Sequence, residues 1–428
     1  MHPDQTFPEL QELAIQSLGA GRYPSPIQRV GPYVDDRSRV LLSSDAGMIE
    51  RYLSEGRPLP SVERAGPREK LFFDPAVTVC GIVTCGGLCP GLNDVVRSIT
   101  LNLLELYGVR QVLGFRYGYK GLSPHGSEPI DLTRATVAPL AGRAGTFLGS
   151  SRGPQAVSDI VDSLEKYGVR VLFVIGGDGT LRGGAAISAE CQRRGREIAL
   201  VGVPKTIDND ICWTSMSFGF HTAVDEARKV ILAAHAEATG AENGIGLVKL
   251  MGRHSGFIAA HATSASGLAN FCLIPELDFQ LEDFLTRLER RLSERGNAVV
   301  VVAEGAGQRL MEQSTGTDAS GNARLGDIGL FLKERITSHL SARGLDSTLK
   351  YLDPSYSIRS APPNTIDSEY CLLLGHFASH AAMAGKTNMT LGWWNQTMVH
   401  LPISVVTQTR KQVCLEDELW QAVSAMLA

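Results

Sequence analysis

Short apolar runs alternate with longer stretches in which apolar positions recur every three or four residues. That alternation is the pattern of a parallel sheet whose crossovers are helices. Runs at 77–84, 111–117, 171–175 and 198–203 predict strands buried on both faces. Stretches at 94–107, 156–167 and 181–194 predict the helices between them. The pattern then repeats in style, with helices expected over 222–239, 257–264, 281–294, 328–342 and 367–384. Strands are expected over 245–250 and 298–303, and 349–359 reads as short and extended. The expected fold is α/β: two similar Rossmann-like three-layer domains with mostly parallel sheets and a cleft between them. One domain takes 77–220 plus about 358–395, the other 221–357 plus about 396–428. Residues 1–76 show no sustained period beyond one possible helix at 10–18. They read either as an extension packed on the body or a neighbouring subunit, or as a flexible tail.

The 428 residues suit two or three domains, and 43% hydrophobic with 20% charged residues suits a large core. A net charge of −4 carries no basic footprint for nucleic acid. The 8 cysteines include no CxxC pair, which argues against zinc and for buried free thiols in a reducing cytosol. No apolar run reaches the roughly 18 residues of a membrane span, and no signal pattern opens the chain, so a cytoplasmic protein off the membrane is expected.

Chemistry is concentrated where strands are expected to end. Pro204 cannot donate to a sheet ladder, so the strand before it stops there. Lys205-Thr206-Ile207-Asp208-Asn209-Asp210 follows. In an extended loop residues two apart point the same way, so Asp208 and Asp210 face one site. One carboxylate then suits a base and the other a holder of metal or water. Lys205 reads as part of that site rather than as a surface lysine, because it adjoins the carboxylate pair. Gly176-Gly177-Asp178-Gly179-Thr180 follows its own strand in the same way, and two such loops read as a phosphate and Mg²⁺ site at a sheet edge. Upstream, Gly86-Gly87-Leu88-Cys89-Pro90-Gly91 lies between a strand and a helix, where backbone N–H groups and the helix dipole favour an anion. It is neither a Walker A loop nor GxGxxG. Gly145 to Arg152 is a Gly/Ser/Thr loop whose terminal arginine either neutralises a polyphosphate or is simply solvated. His254 reads as a packing residue, Cys85 and Cys89 as small packing residues, and the polar stretch 308–327 as a mobile loop.

Taken in order, Gly86-Gly87 with Pro90-Gly91-Leu92-Asn93, the loop at 176–180, the loop at 204–210 and Met251-Gly252-Arg253 resemble the 6-phosphofructokinase family across roughly 77–400. The N-terminal extension and the Lys-Thr-Ile-Asp-Asn-Asp form are similar to its longer subfamily, found in plants, protists and some bacteria. The resemblance implies phosphoryl transfer from ATP to the 1-hydroxyl of fructose 6-phosphate, with Mg²⁺ and with pyrophosphate as the alternative donor. It makes 77–220 the donor domain and 221–357 the sugar-phosphate domain. It implies that Asp208 is the base and that Asp178 and Asp210 hold the metal. Gly86, Arg152, Gly177, Gly179, Thr180 and Gly183 would bind the donor. Arg253 would steady the transferred charge beside Lys205 and Thr206. Thr206, Asp208, Asp210, Met251, Gly252, Arg253 and Glu304 would contact the sugar, and Lys350, Tyr356 and Arg359 its 6-phosphate. Gly179 favours ATP, since pyrophosphate-using relatives place Asp there; Lys205 points the other way. The short bacterial enzymes have Arg where Gly244 stands and His where Tyr356 stands, so a homodimer or homotetramer is implied without its geometry. A non-catalytic sensor on this fold would have lost these acids, and a lipid kinase sharing the 176–180 loop would lack Met251-Gly252-Arg253.

Overall fold

Nine strands form the larger of two main sheets in this computed structural model, which describes residues 7–27, 32–311, 316 and 324–427. The order is Arg39–Leu41, Ser61–Arg64, Thr397–Pro402, Met389–Trp394, Ala199–Pro204, Val169–Gly176, Val79–Thr84, Gln111–Phe115 and Ile130–Asp131. The strands from Met389–Trp394 to Gln111–Phe115 run parallel, and the edges are antiparallel. Alternate side chains feed two cores. Val171, Phe173 and Ile175 pack toward the helices Leu92–Leu101 and Thr365–Met383; Leu172 and Val174 pack toward Val157–Lys166 and Asp178–Arg193. Each such fully buried large side chain stabilises the fold by about 1.5–3 kcal/mol.

The second sheet is parallel throughout, in the order Phe271–Leu273, Asn297–Ala303, Gly244–Leu250, Thr348–Leu352. Val248 and Leu250 face Phe220–Thr239 and Phe257–Ser266, while Ile245 and Leu247 face Leu281–Arg295 and Ile328–Ala342. The two sheets are therefore alike in layering but not in size. Buried Asp367, on Thr365–Met383, joins the two halves. Its carboxylate accepts the Gly219 and Thr222 N–H groups at 2.8 and 2.7 Å and so caps the start of Phe220–Thr239.

Several expectations are corrected. Residues 10–18 hold no helix. Gln16–Ser17 pairs with Lys386–Thr387 and Leu13 is fully buried, because nine residues cannot nucleate a stable helix alone while a strand edge offers them partners. Arg39–Leu41 and Ser61–Arg64 join the large sheet, so this part of the extension is built into the body. Thr397–Pro402, expected in the second domain, pairs with Met389–Trp394 in the large sheet, whereas Glu418–Met426 packs with Phe257–Ser266. The helix expected from 181 starts at Asp178, and 355–359 is helical rather than extended. Residues 312–315 and 317–323 of the expected mobile loop lie outside the described residues. Among the described residues no helix is long and apolar enough to cross a membrane, and all eight cysteines are free thiols.

Candidate active site

The site is assembled where the central parallel strands end. Val79–Thr84 runs into Gly86, whose φ of 87° lies in the left-handed region open to glycine. Gly86 N–H donates to Ser151 O at 3.1 Å, and Ser150 Oγ donates to Gly86 O at 2.6 Å. The loop at 145–152 is thereby pinned to the glycine turn, and Arg152 comes with it. A β-carbon on Gly87 would lie 3.2 Å from Arg152 Nη2 and 3.9 Å from Arg359 Nη1. Two guanidiniums from distant segments thus converge over one bare backbone. Neither has an acid within ion-pair distance among the described residues. Lys205 is 7% exposed and donates from Nζ to Gly87 O at 2.9 Å. Burial lowers its pKa.

Val169–Gly176 ends at the next loop, and Gly177 caps the helix Asp178–Arg193. Asp178 therefore sits in a first helical turn, where the dipole favours a negative charge. Nothing stands within 4 Å of a β-carbon built on Gly179, so that side of the turn is open. Gly183 is different. A β-carbon there would be 2.9 Å from the Tyr119 ring, so packing accounts for its lack of a side chain. The Tyr119 hydroxyl in turn donates to Thr180 O at 2.8 Å.

Ala199–Pro204 stops at its proline, and the acidic loop turns through Asn209 at φ 56°. Asp210 is 8% exposed with both oxygens engaged. Oδ1 accepts from Thr206 Oγ1 at 2.6 Å, and Oδ2 accepts from Arg410 Nη1 at 2.8 Å. Arg410 Nη2 also lies 3.6 Å from Asp178 Oδ2, which Arg182 pairs from one turn along the helix. Asp178 Oδ1 and Asp208 Oδ1 are buried and accept no hydrogen bond. Burial pushes the Asp208 carboxyl well above the usual range, the charges of Asp210 and Glu304 push it further, and the Arg253 backbone N–H and Arg359 pull it back. Two buried carboxylate oxygens left without partners cost the folded chain about 1–3 kcal/mol each or more, an arrangement that suits a ligand. Among the described residues no group of three or more His, Cys, Asp or Glu is assembled to hold a metal. The donor set is two carboxylates, and it fits Mg²⁺, which takes one or two protein carboxylates and completes its shell with phosphate oxygens and water.

The second sheet supplies the opposite wall. Gly244–Leu250 leads to buried Met251 and to Gly252 at φ 128°, where only glycine is unstrained. Asn297–Ala303 leads to Glu304, whose pKa is raised by burial and eased by Arg359, Arg253 and Lys249. Arg359 closes the group from the helix Ser355–Arg359, with its guanidinium 5.3 Å from the ring of Tyr356, itself 82% exposed.

Lys350 is not brought here. It pairs in register with Gly246, four residues before Leu250, which sets it about 13 Å below the strand end at ~3.3 Å per residue. Lys249, which the motifs passed over, stands at that end instead, paired with Asp353 and Asp327 at 2.9 and 3.0 Å. His254 is half-buried, and its backbone carbonyl accepts from Gln412 Nε2 at 3.1 Å. Arg410 was likewise missed. It lies in a stretch with no motif and arrives 200 positions after its partner Asp210.

The Phosphofructokinase family model matches residues 79–382. The ATP-dependent 6-phosphofructokinase of Amycolatopsis methanolica is 46% identical over 431 residues, covering 97% of this chain and 94% of that protein. That of Trypanosoma brucei brucei is 45% identical over 428 residues, covering 96% and 86%. ATP-dependent 6-phosphofructokinase 7 of Arabidopsis thaliana is 44% identical over 406 residues, covering 93% and 83%. Among solved structures, the pyrophosphate-dependent phosphofructokinase of Marinobacter aquaeolei superposes with a TM-score of 0.68 at 20% identity over 82% of this chain and 92% of that one. The T-state phosphofructokinase of Pichia pastoris gives 0.64 at 23% identity over 82% of this chain and 37% of that one. These two likenesses speak for the fold. The strand-end loops, the acids gathered at them and the match over most of the chain agree: this chain belongs to the phosphofructokinase family.

Proposed function

We propose that this chain is an ATP-dependent 6-phosphofructokinase, moving the γ-phosphoryl of ATP to the 1-hydroxyl of fructose 6-phosphate. The observation that carries the reading is an imbalance. Asp208 Oδ1 is buried with no donor, and the nearby Arg152 and Arg359 converge on Gly87 with no acid within ion-pair distance among the described residues. A buried carboxyl with raised proton affinity and guanidiniums without an ion-pair partner suit a hydroxyl and a phosphate arriving together. Asp208 takes the hydroxyl proton as the phosphoryl group transfers. Arg152 and Lys205 neutralise the donor phosphates, and Arg253 the group in transit. Met251 and Glu304 seat the sugar, and Arg359 beside Tyr356 holds its 6-phosphate. Asp178 and Asp210 would hold Mg²⁺, which supplies charge neutralisation between donor oxygens when bound. The donor domain is the large-sheet body and the sugar-phosphate domain the four-stranded one.

Two facts support ATP over pyrophosphate. The relatives named above at 44–46% identity are ATP-dependent enzymes by name. The space beside Gly179 is open, leaving room for what lies beyond a β-phosphate. The enzyme works as a homodimer or homotetramer, for which exposed Tyr356 beside the sugar-phosphate wall is a fitting contact. The deciding measurement is a coupled assay with fructose 6-phosphate and Mg²⁺, run with ATP and separately with pyrophosphate. Turnover with ATP is expected; turnover with pyrophosphate alone would reverse the donor, and turnover with neither would remove the reading.

A further inference from the structure

The segment joining Ile403–Val406 to Glu418–Met426 crosses from the large-sheet body to the second domain, and it passes directly over the acids of the site. It is laced down along its first part, from Thr407 to Val413. Arg182 donates to Thr407 O at 3.2 Å. Arg410 forms an antiparallel bridge with Ile211. Lys411 N–H donates to Asp210 O at 2.9 Å, and its Nζ to Thr214 O at 3.0 Å. Gln412 reaches His254 O at 3.1 Å, and Val413 N–H donates to Glu276 at 2.8 Å. This lacing leaves the Arg410 guanidinium between two carboxylates, 2.8 Å from Asp210 Oδ2 and 3.6 Å from Asp178 Oδ2. Its side chain is 35% exposed, so it has a way out toward solvent.

We propose that Arg410 is a built-in counter-cation for the Asp178–Asp210 pair, bridging them when no divalent ion is bound and competing with that ion for Asp210 Oδ2. Two carboxylates held side by side repel, and a bridging guanidinium relieves that repulsion with charge and two donors in a fork. A divalent ion does the same with twice the charge, so the two cations exclude each other from the shared oxygen. Arg182 does not duplicate the role, since it reaches Asp178 alone. Because the segment also ties to His254 and Glu276 in the second domain, displacement of Arg410 is felt on both walls of the cleft. The inference rests on the reading of Asp178 and Asp210 as the ion-holding acids.

The test is binding of Mn²⁺ alone, followed by electron paramagnetic resonance without nucleotide, in wild-type protein, R410Q and R410K. R410Q is expected to bind Mn²⁺ at least about 10-fold more tightly, since removing one partner leaves the acids uncompensated. R410K, which keeps a charge but cannot bridge both acids, is expected between the two. Melting supplies the second readout. R410Q melts below wild type in EDTA, and the gap closes as Mn²⁺ is added; a defect of packing alone leaves the gap constant and overturns the proposal. Equal or weaker Mn²⁺ affinity in R410Q overturns it as well. If R410Q does not fold, equality of R410K with wild type has the same force. Absence of Mn²⁺ binding in every form defeats instead the underlying assignment of Asp178 and Asp210.

Discussion

Two of the groups of buried charge among the described residues are built from the same kinds of residue and left in opposite states. At the cleft, Asp208 keeps a buried oxygen without a donor, and its proton affinity is driven up by burial, Asp210 and Glu304. At the far edge of the large sheet, Glu63 is 6% exposed and fully bonded. It accepts from Arg68 at 2.8 Å, His400 Nδ1 at 2.9 Å and Lys386 at 3.0 Å. Burial alone would raise the Glu63 carboxyl; the His400 hydrogen bond and the Lys386 ammonium outweigh it and hold it down at about 2. Asp36 closes the group, at 2.6 Å from Arg68 and 3.0 Å from Lys386. Burial of charge is therefore not by itself a sign of chemistry. The balanced group fastens the N-terminal strands to the body. The unbalanced one waits for ligands.

The comparison is broken most sharply by removing one acid from each group. Asp208→Asn is expected to lower kcat by about 10²–10⁴-fold, with the melting temperature hardly moved. A near-normal kcat would take the base role away from it. Glu63→Gln is expected to do the reverse: a loss of about 3–5 kcal/mol in urea unfolding from uncompensated buried cations, with turnover per folded molecule unchanged. Gly179→Asp tests the open side of the donor turn. Its new carboxylate meets no protein atom at the β-carbon and falls in a first helical turn that tolerates acids. Stability is thus expected to hold while ATP-dependent turnover falls at least about 10²-fold through lost space and like charge. Unchanged KM and kcat for ATP would show that the donor passes elsewhere.

Smaller effects sharpen the boundary of the site. Arg359→Ala should raise KM for fructose 6-phosphate by roughly 30- to 1,000-fold, the equivalent of about 2–4 kcal/mol for a desolvated phosphate contact. Lys350→Ala, placed down the strand, should change it less than about twofold; equal effects of the two would return Lys350 to the phosphate site. His400 of the balanced group and neighbouring His380, which bonds Tyr107 and His376, give a pH signature of their own. Burial lowers the pKa of His400 against the pull of Glu63, and burial with His376 and Arg68 nearby lowers that of His380 to about 2. Both folded values lie below the unfolded value of about 6.5, so the unfolded chain binds the extra protons. The stabilisation is complete above pH 6.5 and falls as the pH drops below it, by up to about 1.4 kcal/mol per unit for each group. Urea midpoints at pH 7.5 and 5.5 measure the slope, and His380→Gln should flatten it. An identical slope in that variant would place the lability elsewhere.

The sequence by itself determined most strands and helices, because the period of apolar residues is a local property of a chain crossing a buried sheet. It also determined which loops hold the acids. Pro204 ends its strand by lacking a donor, and Asp208 and Asp210 share a loop whatever the fold does around them. Tertiary structure decided the rest. Within the stretch at 10–18, Gln16–Ser17 became a short strand because a partner edge was present at Lys386–Thr387. Thr397–Pro402 went to the large sheet through pairing with both Met389–Trp394 and Ser61–Arg64. Lys350 was drawn away from Arg359 by a register with Gly246 that no local pattern records. Arg410 meets Asp178 and Asp210 only because the return of the chain from one domain to the other lies across the cleft. Periodicity is written between neighbours along the chain. A contact across 200 positions depends on strand order and register, which the whole packed core selects at once.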